Sequence, residues 1–406
     1  QGASLATRTD RGPVSEVMPS QPLIAAGYRG QGIKVGIIDF FDPAVLATQI
    51  TQGELASVPT ANRRCFLNVG LCTFGSPGER HGNAIAEVIA EGAPDAQLYL
   101  AEVAGLNGYY AAIDWFAANG VKILNHSLIG SFDGPGDGTG PRAAIVDYAV
   151  SKDIAWFNSA GDAAPQFPGK YEGGHWRGVW SDPTGNRWLN FSGTDETLGA
   201  YCGSLLGLRW SDWGAGRTDY ELWIGDLNIS SGYHSTAVLA SDFNQTTGVV
   251  PLEANDFRWL CNTDATRGPV YDKNNDGFVH IKVKRSTRST AASAVNDVLE
   301  IQVINGWFEH NTAYGSAAIP FADSRNPGAA SVGFGTQSSA QGPTTDGRIK
   351  PDLTAAACVP TSVYGGCAGT GAYRATDISA AVASGTAAAV LSAYGTMAPW
   401  QLVQYF

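Results

Sequence analysis

The chain has 406 residues, a formal net charge of −11 and a pI near 5.0. This acidic balance excludes a nucleic-acid partner, because binding to phosphates needs clustered Lys and Arg. Charged residues make up only 16% of a chain with 50 Gly, a composition typical of a loop-rich globular protein rather than of a disordered one.

The first part of the chain alternates short apolar runs with helical patterns. The run IKVGIID at 33–39 ends in an acid, as buried parallel strands do when they present a side chain at their carboxyl end. After His81, the stretch NAIAEVIAEG predicts a helix that Gly92 ends. The next predicted elements are a strand at 96–103, a helix at 109–118, a strand at 121–127, a helix at 142–152 and a strand at 153–160. This alternation predicts a doubly wound parallel sheet.

The pattern changes in the middle of the chain. The runs YELWIGDL, GFVHIKVKR and DVLEIQVI alternate apolar and polar residues between Gly, Asn and Asp clusters, which predicts antiparallel strands. The α/β rhythm then resumes and ends with ISAAVASGTAAAVLSAYG, a buried small-residue helix. We therefore predict an N-terminal extension at 1–27, an α/β domain made of 28–163 and 320–406, and a β-rich insertion at 164–319.

The six cysteines form an even set, and no CxxC spacing favours a metal cluster. Two short gaps predict disulfides between Cys65 and Cys72 and between Cys358 and Cys367, and Cys202 with Cys261 completes the set. Disulfides predict a secreted, extracellular protein. We also expect a mature, processed form and no membrane partner, because no run approaches the roughly 20 apolar residues of a membrane helix.

Three separated segments together resemble the subtilisin-like serine proteases, the subtilases. Asp39 ends KVGIID as the catalytic Asp of that family ends its strand, and His81 opens a helix in HGN as the catalytic His does in HG. The segment ATDISAAVASG at 375–385 resembles the serine motif G-T-S-x-A-A-P-H-V-A-G. Just upstream, SSAQGPTTDGRIKPDLTAA is similar to the family's SSxGPTxDGRIKPDLxAP and fixes the register. The resemblance implies a subtilisin-like fold with a jelly-roll-like β insertion.

The resemblance also implies two departures from the protease pattern. The serine position holds Asp377, and Asp162 in NSAGDAAP stands where the family's A-A-G-N carries the Asn that helps form the oxyanion hole. The segment SLIG at 127–130, which is Ser127, Leu128, Ile129 and Gly130, resembles the SLGG substrate-binding strand. A register slip to Ser379 would point that hydroxyl about 200° away from Asp377 on the helix, so it should not reach His81.

These departures change the chemistry that the site supports. Asp377 offers no hydroxyl that His81 could deprotonate, and the carboxylate of Asp162 would repel an oxyanion. Loss of one oxyanion donor already costs about 10²–10³ in rate. We expect Asp39, His81, Asp162 and Asp377 to share one cleft, with the carboxylates of the last two about 4 to 7 Å apart. Three acids should keep His81 protonated, and repulsion should raise the pKa of one member of the Asp162/Asp377 pair.

Several functions fit this pattern. We favour a repurposed non-peptidase hydrolase of the glycoside hydrolase type that acts on a polysaccharide through the carboxylate pair and His81. The alternatives are a catalytically inactive pseudoprotease that binds peptide or protein, a residual subtilisin-like endopeptidase and, least favoured, metal-dependent chemistry. Aromatic residues in the insertion would suit sugar stacking, although a packed β core explains them better. These residues are Trp176, Trp180, Trp188, Trp210 and Trp213.

One short motif suggests a cation. Asp272, Asn274 and Asp276 in DKNNDG match the first half of a calcium loop, but Val283 occupies the twelfth position, which excludes an EF-hand. We expect structural Ca²⁺ there, with an Asn/Asp-rich hairpin turn as the alternative. The histidines at 126, 175, 234, 280 and 310 show no ligand spacing and are expected to be packing or surface residues. A monomer is expected.

Overall fold

The computed structural model describes most of the chain. The described ranges are 18–164, 172–214, 217–247, 250–254, 258–261, 270–289, 296–335, 338–368 and 372–406. Residues 1–17 of the predicted N-terminal extension lie outside them.

The helices and strands follow the predicted alternation closely. The α-helices are α1 (Gln21–Ala25), α2 (Pro43–Thr51), α3 (His81–Gly92), α4 (Leu106–Ala118), α5 (Pro141–Ser151), α6 (Thr376–Tyr394) and α7 (Pro399–Gln404). The strands before the sandwich are β1 (Lys34–Ile38), β2 (Arg63–Phe66), β3 (Leu71–Cys72), β4 (Gln97–Val103), β5 (Ile123–His126) and β6 (Ala155–Ser159). Those of the sandwich are β7 (His175–Val179), β8 (Leu198–Tyr201), β9 (Ser204–Trp210), β10 (Tyr220–Asn228), β11 (Tyr233–His234), β12 (Val238–Ser241), β13 (Leu252–Glu253), β14 (Arg258–Trp259), β15 (Phe278–Arg285) and β16 (Val298–Ile304). The last two are β17 (Ala329–Gly333) and β18 (Leu353–Thr354).

The central sheet has the order β18-β17-β6-β5-β1-β4-β2-β3. Its pairs are parallel except for β2 with β3. Ile37 of β1 lies opposite Leu100 of β4 on one side and Asn125 of β5 on the other, so β1 sits near the middle of the sheet. The predicted doubly wound parallel sheet is confirmed.

Helices cover both faces of this sheet. Neighbouring strand residues such as Ile37 and Ile38 point to opposite faces and belong to different apolar clusters, the first with α3, α6 and α7, the second with α4 and α5. Helix α6 runs against α3 so closely that a Cβ at Gly385 would lie 2.8 Å from the Ile89 carbonyl oxygen. The small residues of α6 therefore allow it to be buried on the sheet.

By length and composition alone, α6 could cross a membrane, contrary to our expectation that no run approaches that limit. Within this protein, 89% of its apolar window is buried, as in the core helix of a folded domain.

Two antiparallel sheets form a sandwich between residues His175 and Ile304. One has the path β11-β10-β15-β8 with β12 beside β10, and the other has the path β13-β9-β16-β7 with β14 beside β9. Both contribute to a single apolar cluster, in which three of the predicted sugar-stacking residues, Trp176, Trp180 and Trp210, are buried. The predicted antiparallel insertion is confirmed, while the domain boundaries stay a prediction.

A buried ionic cluster is formed by residues of three neighbouring strands of the sandwich, β7, β9 and β16. Arg209 donates from Nε and Nη2 to Glu300 at 3.0 and 2.9 Å, and His175 Nε2 lies 2.9 Å from Glu300 Oε1. Arg209 also donates to the carbonyl oxygens of Gly134, at 3.3 Å, and Ala318, at 2.5 Å, which both lie outside the sandwich strands. The cluster therefore joins the sandwich to the loops beside the central sheet.

The three predicted disulfides are confirmed. Their Cα atoms are 5.0 Å apart for Cys65–Cys72, 5.2 Å for Cys202–Cys261 and 5.9 Å for Cys358–Cys367, all within the usual range for a disulfide. The last of these bridges closes the segment that precedes α6.

Candidate active site

The four predicted catalytic residues lie at the carboxyl edge of the central sheet or at helix starts that face it. Asp39 follows β1 directly, and Asp162 comes three residues after β6. His81 is the first residue of α3, and Asp377 lies in the first turn of α6. Open α/β sheets place their binding sites at this edge.

His81 lies between two carboxylates. Its Nδ1 is 2.8 Å from Asp39 Oδ1 and 2.9 Å from Oδ2, and its Nε2 is 2.7 Å from Asp377 Oδ2. Burial would lower the pKa of His81, but the negative charge of Asp39 and the hydrogen bonds to both carboxylates raise it well above its ordinary value. The imidazole is therefore protonated at neutral pH and donates to both acids.

Both carboxylate oxygens of Asp377 accept hydrogen bonds from the protein. Oδ2 accepts from Tyr373 Oη at 2.6 Å as well as from His81, and Oδ1 accepts from the backbone N–H of Ile378 at 2.7 Å. The positive end of the α6 dipole also favours a carboxylate at this position. The Asp377 side chain is 6% exposed. The Asp377 carboxyl group is thus surrounded by hydrogen-bond donors from an imidazole, a phenol and a helix N-terminus.

Asp162 is held against the start of α6. Its Oδ1 accepts from the backbone N–H of Thr376 at 3.0 Å and its Oδ2 from the Thr376 hydroxyl at 3.1 Å. The side chain is exposed to the cleft, yet protein surrounds the cleft on most sides. This desolvation, followed by the negative charge of Asp377, raises the pKa of Asp162 to about 7. Asp162 therefore keeps its proton to a much higher pH than an ordinary aspartic acid does.

We expect Asp162→Asn to stabilise the protein at neutral pH and to change it little near pH 4. Because the folded state raises the pKa of Asp162 from 3.8 to about 7, the wild type loses stability as pH rises through that interval. The variant has no carboxyl to ionise there. Melting temperatures of both proteins between pH 4 and pH 8 measure the difference, which should grow with pH and level off above about 7. A constant difference across this range would contradict the assignment.

Tyr373 completes the site, and sequence reasoning missed it. Its ring stacks on Tyr364 with centroids 4.0 Å apart, and burial together with the Asp377 charge raises its pKa, so the phenol keeps its proton. The backbone N–H of Ser362 donates to Glu87 of α3 at 2.7 Å, which ties this segment to the helix that carries His81. A signal was present, since Tyr373 lies four residues before Asp377.

A cavity of about 810 Å³ opens over these residues. Its walls include the predicted substrate-binding residues Ser127, Leu128, Ile129 and Gly130, which follow the end of β5 instead of forming part of a strand. The Ser127 hydroxyl donates to the Asp377 carbonyl oxygen at 2.9 Å. Residues 303–307, at the end of β16 and beyond it, also line the cavity, so the sandwich contributes to the cleft.

The family model of the subtilases, Peptidase_S8, matches residues 72–406, which include His81, Asp162 and Asp377. The chain belongs to the subtilase family. A probable subtilase-type serine protease of Deinococcus radiodurans is 28% identical over an alignment of 170 residues, which covers 34% of this subtilase and 22% of that protein. The match thus spans about a fifth of the relative's length.

Solved protease structures are similar only distantly. The CspB protease of Clostridium perfringens has 13% identity and a TM-score of 0.49, with 91% of this subtilase and 86% of that chain covered. MycP1 with its N-terminal propeptide removed has 14% identity and a TM-score of 0.37, with 94% and 85% covered. A lanthipeptide protease has 19% identity and a TM-score of 0.29, with 41% and 52% covered. At these scores the likenesses say nothing about the site.

Ser379 of this subtilase is buried on α6 away from the imidazole. Its hydroxyl lies 3.2 Å from the Ala356 carbonyl oxygen and 3.4 Å from that of Ala355, to which it donates. Among the described residues, the hydrogen-bond partners of His81 are Asp39 and Asp377. The register slip to Ser379 therefore gains no support.

The calcium motif lies in the subtilase's sandwich, far from these acids in sequence. Asn274 Oδ1 accepts from the Asp276 N–H at 2.9 Å, and Asp276 Oδ1 accepts from the Phe278 N–H at 3.0 Å, as in a hairpin turn. Asp272 Oδ2 accepts from the Gly277 N–H at 3.1 Å, while its buried Oδ1 has no hydrogen-bond partner in the described part of the chain. That one oxygen fits a cation, but Ca²⁺ takes six to eight. Structural Ca²⁺ stays a prediction.

Proposed function

We propose that this subtilase binds an extended peptide or protein segment in its cleft and does not cleave it by serine acyl transfer. The observation that carries the proposal is the hydrogen-bond partner of His81 Nε2. In place of a hydroxyl, that nitrogen meets Asp377 Oδ2 at 2.7 Å, and the same oxygen also accepts from Tyr373.

Acyl transfer needs a base, a nucleophile and an oxyanion hole, and each is compromised here. A protonated His81 cannot accept a proton from a nucleophile. Asp377 has no hydroxyl to offer. Asp162 presents a carboxyl group where a neutral amide donor is needed, and it draws the Thr376 N–H toward itself. These features support loss of the protease reaction rather than a modified form of it.

The walls of the cleft support a peptide as the ligand. Within the described part of the chain, no backbone-to-backbone hydrogen bond engages Leu128, Ile129 or Gly130. A segment whose backbone is not paired in this way can pair with a peptide strand, which then gains main-chain hydrogen bonds. The Deinococcus relative is named as a protease, which is consistent with a peptide-shaped cleft.

A second candidate function is hydrolysis by the carboxylate pair, of the glycoside hydrolase type. The observation that favours it is the pKa of Asp162, about 7, beside the ion-paired carboxylate of Asp377. A proton-holding acid next to a carboxylate is the arrangement that general acid catalysis needs at neutral pH. A polysaccharide would then be the substrate. A residual subtilisin-like endopeptidase is the third candidate.

Peptide binding and turnover can be measured on the same protein. We expect fluorescein-labelled casein peptides to bind, by fluorescence anisotropy, and to remain uncleaved. Ile129→Arg, which puts a bulky charge in the wall of the cleft, should weaken binding by about 10-fold or more, since one lost desolvated contact of about 1.4 kcal/mol already gives that factor. Ile349→Arg is the matched control, because Ile349 is 85% exposed and does not line the cleft.

The same preparation decides between the candidates. Soluble polysaccharides, glycosides and esters should not be turned over. If a glycoside is cleaved and Asp162→Asn or Asp377→Asn lowers the rate by about 10² or more, the carboxylate pair is catalytic and the binding proposal fails. Cleavage of the peptides themselves would favour the endopeptidase.

We further propose an extracellular location, which the three disulfides support because such bonds persist in oxidising compartments. The monomeric state stays a prediction.

A further inference from the structure

We propose a binding site for a divalent transition metal in the sandwich, formed by Asp195, Glu309 and His310. One possible ligand atom from each of the three residues lies within 4.8 Å of the other two. Asp195 Oδ2 and His310 Nε2 are 3.1 Å apart. The site involves neither Asp377 nor Asp162, so metal binding can be tested independently of peptide binding.

The ligands come from two backbone segments that the fold holds in place. Asp195 ends a tight turn, in which its N–H donates to the Ser192 carbonyl oxygen at 2.8 Å. Glu309 is fixed by its own N–H, which donates to the Gly199 carbonyl oxygen of β8 at 2.7 Å. His310 follows it directly. The backbone therefore holds the ligands in place before a metal ion binds. The ion would link Asp195 to His310, which are 115 residues apart in sequence.

The Asp195 carboxylate is oriented by a second set of contacts. Its Oδ1 accepts from the Thr197 N–H at 3.0 Å and from the Thr197 hydroxyl at 2.8 Å, which leaves Oδ2 directed at His310. Metal-binding carboxylates are commonly held in this way, since the hydrogen bonds fix the ligand before the ion arrives. A surface ion pair needs no such support.

The ligand atoms of these three side chains indicate which class of metal the site would bind. Two carboxylates and a neutral imidazole give a charge of −2, which matches a divalent cation. Imidazole nitrogen suits Zn²⁺ and its neighbours, whereas Ca²⁺ and Mg²⁺ prefer oxygen ligands throughout. Three protein ligands leave at least one position for water, as in open zinc sites. All three side chains are half-buried, so an ion can enter from solvent.

The site lies beside a wall of the cleft. Trp307, two residues before Glu309, lines the cavity, and its carbonyl oxygen accepts from the Tyr201 N–H at 2.8 Å. A metal ion that ties Glu309 and His310 to Asp195 would stiffen this segment where it leaves the cleft.

Zinc titration of the chelator-treated full chain tests the proposal. Isothermal titration calorimetry should show one equivalent of Zn²⁺ bound with saturation at micromolar metal, and Co²⁺ in its place should give visible d–d absorption. Asp195→Asn, Glu309→Gln and His310→Gln should each weaken binding by about 10-fold or more. His234→Gln and Glu221→Gln are matched controls, because they remove a histidine and an acid elsewhere in the sandwich, and both should bind as the wild type does.

Thermal unfolding separates a metal site from a plain ion pair. Zinc should raise the melting temperature of the wild type but not that of His310→Gln, since a ligand stabilises only the state that binds it. The two proteins are compared in chelator as well, which shows whether the variant is folded. If Zn²⁺ binds no tighter to the wild type than to His310→Gln, or leaves the wild-type melting temperature unchanged, Asp195 and His310 form only an ion pair and the proposal is wrong.

Discussion

The double variant Asp377→Ser/Asp162→Asn should react with a serine-directed phosphonate much faster than Asp377→Ser does, whereas the wild type should not react. The double change places a hydroxyl beside His81 and a neutral amide donor at the oxyanion position. It also removes the carboxylate that accepts from His81 Nε2 and favours the charged imidazolium, while Asp39 still orients Nδ1 at 2.8 Å. Labelling rates, followed by mass spectrometry, should be higher for the double variant than for Asp377→Ser by a factor of about 10²–10³. This is the rate factor that one oxyanion donor usually contributes.

Two controls make this result specific. Asp162→Asn alone should stay unlabelled, because it has no activated hydroxyl. The triple variant that adds Ser379→Ala should label as the double variant does, since Ser379 is buried against carbonyl oxygens. Labelling of the wild type that Ser379→Ala abolishes would instead restore the endopeptidase reading.

The two acids at the start of α6 differ in how the protein accommodates them. Asp377 gains an imidazolium, a phenol and the helix dipole, and all of these favour its charged form. Asp162 accepts from the N–H and hydroxyl of Thr376 and feels the positive charge of His81, but burial and the Asp377 charge outweigh these contacts. The charged form of Asp377 thus receives more support from its neighbours than that of Asp162 does. That difference explains why the raised pKa belongs to Asp162.

The fold could be predicted from the sequence because the pattern that marks each strand or helix extends over only a few neighbouring residues. The run before Asp39, the helix after His81 and the small-residue helix after Asp377 show their periodicity over a few residues. Their place at one sheet edge then follows from the parallel topology. For that reason Asp39 and His81 could be predicted as site residues from the sequence.

Other contacts join residues with no shared pattern. Tyr373 is near Asp377 in sequence but precedes helix α6, which begins at Thr376, so no helical periodicity marks their contact. His310 has no ligand spacing in the sequence, since its acidic neighbour Asp195 lies 115 residues away. Only the pairing of strands in the sandwich brings those two side chains together.

Glu300→Gln should lower the free energy of unfolding by about 3–5 kcal/mol at pH 7. The substitution keeps the shape of the side chain but removes the carboxylate to which Arg209, which is 2% exposed, donates twice, and breaking a buried ion pair has about this cost. His175 loses the same partner. Urea unfolding followed by tryptophan fluorescence measures the change, because Trp176 and Trp210 lie in the sandwich core. Glu221→Gln is the matched control, since the Glu221 carboxylate accepts from the Trp223 indole near the surface and should contribute less than about 1 kcal/mol.

The same pair of proteins should show a distinct pH dependence. Burial opposes the charge of Glu300, but Arg209 and His175 outweigh it and lower the pKa of Glu300 to about 2. A carboxylate whose pKa is lower in the folded than in the unfolded protein stabilises the fold above the unfolded value, here 4.5, and loses that contribution as pH falls toward 2. The gap between wild type and Glu300→Gln should therefore be full at pH 6 and narrow steadily below pH 4.5. If the gap is absent at pH 6, or is unchanged at pH 3, the cluster of Arg209, Glu300 and His175 does not hold the sandwich to the central sheet by charge.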